Sequence, residues 1–157
     1  MLLFETELVL KSFDDATGEF EGMAAVYSNV DTQGDRIEPG AFKADDGREV
    51  PLLWNHKRDE VIGVGMLEET PEGMKLKGRL LLDTTAGREA YARLKAGAAR
   101  GLSVGFALVD AVKGAVRRIL SGAIREVSLT PFPANPLATV TAFKSEPNPY
   151  AELLKYL

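Results

Sequence analysis

Three side chains in this sequence are of the types that nucleophilic acyl chemistry requires. Ser103 stands in Gly101-Leu102-Ser103-Val104-Gly105. Its flanking glycines permit close backbone approach, and a neighbouring backbone N–H could face a developing oxyanion. A serine hydroxyl needs a base of pKa near 7 within about 3 Å before it will attack at neutral pH. His56 is the single histidine, and imidazole alone has an unperturbed pKa suited to that task. An acid would then orient the ring and balance its charge. Glu126, in Ile124-Arg125-Glu126-Val127-Ser128-Leu129-Thr130, is a charge set within strand-like apolar alternation. Each residue also has a plainer reading: a serine in a Gly-rich strand, a rim histidine, and an ion pair from Glu126 to Arg125, Arg117 or Arg118. Ser128 is a rival nucleophile on the same strand face as Glu126, although it lacks the glycines. Glu38 and Asp35, in a shaped loop, are alternative acids.

Other chemistries are excluded by what is missing. The pattern G-x-S-x-G also marks the nucleophile elbow of α/β-hydrolases, but that fold needs a histidine after the serine and βαβ alternation; this chain has neither. With no cysteine there are no disulfides, thiolate metal sites or cysteine nucleophiles, and one histidine argues against a hydrolytic zinc centre. No metal or cofactor is expected. The balance of 19 basic against 23 acidic residues, a net of −4, argues against a dedicated nucleic-acid binder. The start carries no basic leader. The longest apolar stretch, Leu102 to Val109, is far short of the ~20 residues of a membrane span, so a soluble, non-secreted setting is expected.

The elements that must position these groups are mostly strands. At 157 residues, 45% hydrophobic and 27% charged, the chain suits one globular domain. Period-two patterning predicts strands over 2–13, 19–27 and 50–54, the last delivering Asn55-His56. Two more, over 61–69 and 74–82, flank the turn Thr70-Pro71-Glu72-Gly73. Residues 28–42, rich in Asp, Gly and Pro, read as a shaped loop that is neither strand nor helix. A helix is predicted over 83–95, with Thr84 or Thr85 as N-cap, Ala90, Tyr91 and Leu94 as its apolar stripe, and Gly97 as its stop. Strands follow over 102–112, 115–120, 123–130 and 138–143. The class is therefore α+β: a mostly antiparallel β-barrel of about seven strands with a few helices. The division expected is a domain over 1–145 and a tail over 146–157. Pro147-Asn148-Pro149 breaks the chain there, and Tyr150 to Leu157 reads either as a short helix docked on its own domain or as a partner-binding segment.

Four segments, in this order, resemble the prohead (capsid maturation) serine proteases of tailed bacteriophages, relatives of herpesvirus assemblin. They are Gly22 to Asp31 with Gly34 to Phe42, Pro51-Leu52-Leu53-Trp54-Asn55-His56 with Ile62-Gly63, Gly101 to Phe106, and Glu126 to Pro136. The resemblance implies His56 as the base, Ser103 as the nucleophile and, with no second histidine available, Glu126 as the third member. It implies a serine endopeptidase acting inside an assembling procapsid in the host cell. The substrates implied are scaffold regions of the major capsid protein and the protease itself. Herpesvirus relatives act as dimers, so a homodimer or higher oligomer is open. Arg117 or Arg118 could assist backbone N–H groups at the oxyanion. The competing reading is a non-catalytic β-barrel that binds coat or scaffold protein during assembly.

Overall fold

The computed structural model describes residues 17–143; the strand expected over 2–13 and the tail over 146–157 lie outside the described residues. In chain order the elements are β1 (Glu19–Val26), β2 (Asp35–Ile37), a 3-10 turn (Lys43–Asp45), β3 (Glu49–Trp54), β4 (Lys57–Thr70), β5 (Gly73–Leu80), α1 (Thr85–Lys95), β6 (Gly101–Val112), β7 (Arg117–Thr130) and β8 (Val140–Phe143). The strands pair in the order β2-β7-β3-β4-β5-β1-β8, and β6 lies along the other side of β7. The segment before β8 joins the two edges. Leu102 N–H donates to the Ala138 carbonyl at 2.8 Å, Val140 N–H to the Arg100 carbonyl at 2.8 Å, and Met23 N–H to the Thr139 carbonyl at 3.0 Å. These bonds satisfy backbone groups that an open sheet would leave exposed. Among the described residues no helix is long and apolar enough to cross a membrane.

Alternation is plain in β5, where Met74, Leu76, Gly78 and Leu80 turn inward and Lys77 and Arg79 outward. The interior is filled by Phe42, Leu52, Ile62, Leu67, Leu76 and Ile124, all nearly or fully buried. Phe42 meets Phe106 edge-on with ring centroids 5.1 Å apart. The helix is as expected: Thr84 Oγ1 accepts from Gly87 N–H at 3.0 Å, and Ala90, Tyr91 and Leu94 are buried. Its Arg93 guanidinium lies over the Trp54 ring, 4.3 Å from the centroid.

The sheet is mostly antiparallel, as expected, with parallel pairing where β7 meets β2 and β3. Three expectations are corrected. Residues 115–120 and 123–130 are not two strands. One strand, β7, passes through Ser121-Gly122 with irregular pairing to β6. Gly122 is needed there because a Cβ would run into the Phe42 and Phe106 rings, and this reads in sequence like a turn signal. The loop over 28–42 contains β2, whose three residues pair in parallel with Arg117–Ile119; a strand that short has no periodicity to detect. One α-helix and one 3-10 turn stand among the described residues where a few helices were expected.

Candidate active site

The three residues singled out from sequence converge around β7. On one side Leu53 of β3 pairs with Ser128; on the other, Ser103 of β6 pairs with the same Ser128. Neighbouring strands are about 4.8 Å apart, so the histidine strand and the serine strand stand roughly 10 Å apart across β7. The His56 ring spans that gap. Its Nε2 lies 3.2 Å from Ser103 Oγ, and its Nδ1 lies 2.5 Å from Glu126 Oε1. The carboxylate is an acceptor, so the Nδ1–H donates to it and Nε2 is left to accept from the serine hydroxyl.

Local backbone explains how the ring arrives there. β3 and β4 are joined by two residues only, Asn55 and His56, between the paired Trp54 and Lys57. Both have positive φ, +49° and +61°, as a type I′ hairpin turn demands. Glycine usually takes the second position, and a histidine there costs about 1–3 kcal/mol. Hydrogen bonds from β7 hold the turn. Asn55 N–H donates to the Leu129 carbonyl at 3.0 Å, His56 N–H to Ser128 Oγ at 2.8 Å, and the Thr130 hydroxyl to Asn55 Oδ1 at 2.8 Å.

The glycines of the serine segment serve the same face. Gly105 stands opposite Glu126 and Gly101 opposite Thr130. A Cβ on Gly105 would overlap Glu126 Oε1, and one on Gly101 would overlap the Pro133 ring. The obstructing atom at 105 is the tip of a flexible side chain rather than backbone. Gly105→Ala is therefore expected to leave thermal stability nearly unchanged while displacing the carboxylate from the ring. A loss of about 10–100-fold in kcat on a cleavable peptide is the expected effect of such a misplacement; parent-like kcat would show that the carboxylate tolerates the shift.

The ring is roughly half exposed, its side chain at 47%, whereas Glu126 is at 13%. The hydrogen bond that the ring donates to Glu126 holds the imidazole pKa above its ordinary value. Partial burial opposes this, and the carboxylate's charge adds to it. His56 and Ser103 open onto a cleft of about 180 Å³, lined also by Ala24, Ala25, Val104, Phe106, Arg117 and Asn135. A larger groove of about 600 Å³ lies against Phe20, Val64, Met66 and Phe143 and contains none of the three.

The other candidates are engaged elsewhere. Arg117 grips the buried Asp35 through two bonds of 2.8 Å, and Arg118 and Arg36 both hold Glu38. Neither acid reaches His56, and Glu126 pairs with the imidazole rather than with an arginine. Ser128 is fully buried, unlike a nucleophile open to substrate. The sequence reading missed Asn55 and Thr130, which brace the hairpin turn and bond neither Ser103 nor Glu126. The signal for Thr130 was the polar run Glu126, Ser128, Thr130 at period two between the apolar Val127 and Leu129.

This mixed β-barrel, with one α-helix among the described residues and a hydroxyl, an imidazole and a carboxylate in line at a cleft, is similar in fold to a herpesvirus protease. The crystal structure of KSHV protease in complex with a hexapeptide phosphonate inhibitor superposes with a TM-score of 0.54 over 78% of this chain and 62% of that one, at 16% identity. In sequence, the caudovirus prohead serine protease family matches residues 6–152, and the chain belongs to that family. It is 37% identical over 151 residues to the prohead protease of Enterobacteria phage HK97, covering 90% of this chain and 66% of that protein. It is also 35% identical over 150 residues to the capsid polyprotein of Pseudomonas phage PAJU2, covering 88% of this chain and 22% of that one. The chain therefore spans only part of the length of these relatives.

Proposed function

We propose that this chain is a serine endopeptidase of capsid maturation, cleaving scaffold regions of the major capsid protein and itself within the assembling procapsid. The observation that carries this reading is the unbroken contact series from Ser103 Oγ through the His56 ring to Glu126, open to a cleft at its serine end. Ser103 attacks the scissile carbonyl as Nε2 of His56 takes its proton. The imidazolium is held by Glu126 and returns that proton to the leaving amine; water then repeats the sequence on the acyl-enzyme. With Arg117 and Arg118 tied to carboxylates, backbone N–H groups along the cleft are the donors for the oxyanion.

A fluorophosphonate probe tests the nucleophile directly. Label on Ser103, found by peptide mass spectrometry and lost in His56→Ala, is the expected result. Label on Ser128 would move the nucleophile. No label, together with an intact coat-protein substrate, would leave a barrel that binds coat or scaffold protein without cutting it.

A further inference from the structure

The hydroxyl of Ser128 joins two members of the contact series that do not otherwise share an anchor. It donates to Glu126 Oε2 at 2.8 Å and accepts from His56 N–H at 2.8 Å. A hydroxyl has one proton to give, and here it is given to the carboxylate. The last torsion of a glutamate is broad and roughly two-fold, so a carboxylate held at one oxygen only would swing. With Oε2 bound to Ser128, Oε1 is the oxygen presented to Nδ1. We infer that Ser128 is a positioning residue: its buried hydroxyl fixes the orientation of the Glu126 carboxylate and ties it to the turn that carries the His56 ring. This assignment rests on the peptidase reading above.

Thr130 provides a matched control two residues further along the same strand face. It is nearly as buried, and its hydroxyl also pins the turn, through Asn55 Oδ1, while accepting from Phe132 N–H at 3.2 Å. Its bonds do not include Glu126. A role confined to holding the turn would make the two hydroxyls equivalent; a role in aiming the carboxylate belongs to Ser128 alone.

The experiment compares Ser128→Ala and Thr130→Ala in the full chain, with kcat and KM measured on purified coat protein. The His56 ring is titrated by NMR in a Ser103→Ala background, where no turnover occurs. Glu126 is the charged side chain that acts on this ring. Ser128→Ala is expected to lower kcat by about 10–100-fold with KM within about twofold, the pattern of a misplaced catalytic group. The ring's midpoint should fall toward that of an unperturbed histidine. Thr130→Ala should change kcat by less than about threefold and keep the midpoint. The assignment is overturned if Ser128→Ala shifts kcat and midpoint no more than Thr130→Ala does. If Ser128→Ala does not fold, Ser128→Cys, which fills the position but donates weakly, is judged by the same criteria. The titration needs no catalysis, so failure of the peptidase reading would show separately, as absent cleavage by the parent chain.

Discussion

Ser103→Ala is expected to cut kcat on coat protein by about 10⁴–10⁶-fold, the range found when the nucleophile of a serine hydrolase is deleted. The fold should be untouched. The hydroxyl contributes one bond, to His56, and the methyl left behind still lies beside β7 opposite Ser128. His56→Ala should cost a similar factor, because the serine is inert without a base. The double variant should be scarcely worse than either single one, since the residues act as one unit. Fragment analysis by mass spectrometry reads all three. Parent-like cleavage by Ser103→Ala would end the peptidase reading and favour the non-catalytic barrel.

Glu126→Gln is expected to lower kcat by about 10³–10⁴-fold with folding retained. If the new amide turns its N–H toward Nδ1, that nitrogen must accept, and the ring's proton moves to Nε2, where it blocks the transfer from Ser103. If instead its carbonyl faces Nδ1, the tautomer survives but the charge that stabilises the imidazolium is gone. The pH profile separates this loss from simple damage. Neutral imidazole is the working base, so kcat/KM of the parent should rise with pH through a midpoint above the ordinary histidine value, the direction in which Glu126 shifts it. In Glu126→Gln that midpoint should move down. Stability runs the opposite way. With the folded pKa raised, the ring–carboxylate contact stabilises fully below about pH 6.5 and fades as pH rises through the raised pKa. A thermal-melt series across pH should show this in the parent and not in the variant.

Most of the strands, and the helix with its cap, could be read directly, because their alternation or 3.6-residue stripe reports burial locally. The candidate site residues could be read by chemical type: one histidine, one glycine-flanked serine, and one acid where apolar residues were due. Partnership could not be read. That β7 lies between β3 and β6 follows from parallel pairing between segments some 70 residues apart in sequence, which no local pattern encodes. The same distance hid β2, whose three residues depend on Arg117–Ile119. Gly122 misled because glycine marks both turns and crowded strand interiors, and only the Phe42 and Phe106 rings show which applies. Ser128 was noticed for its hydroxyl as a rival nucleophile, and its burial is invisible until the Asn55-His56 turn is seen to close over it.

Because Glu126, Ser128 and Thr130 alternate with Val127 and Leu129 along a single strand, β7 has no harmless way to slip. Shifting it by one position would drive the carboxylate into the apolar interior and bring Val127 or Leu129 to the imidazole. The penalty for an unpaired buried charge makes such a misthreaded chain unfold rather than persist as a sloppy cutter. For an enzyme proposed to cleave itself as well as coat protein, cleavage would then begin only in copies whose barrel is complete.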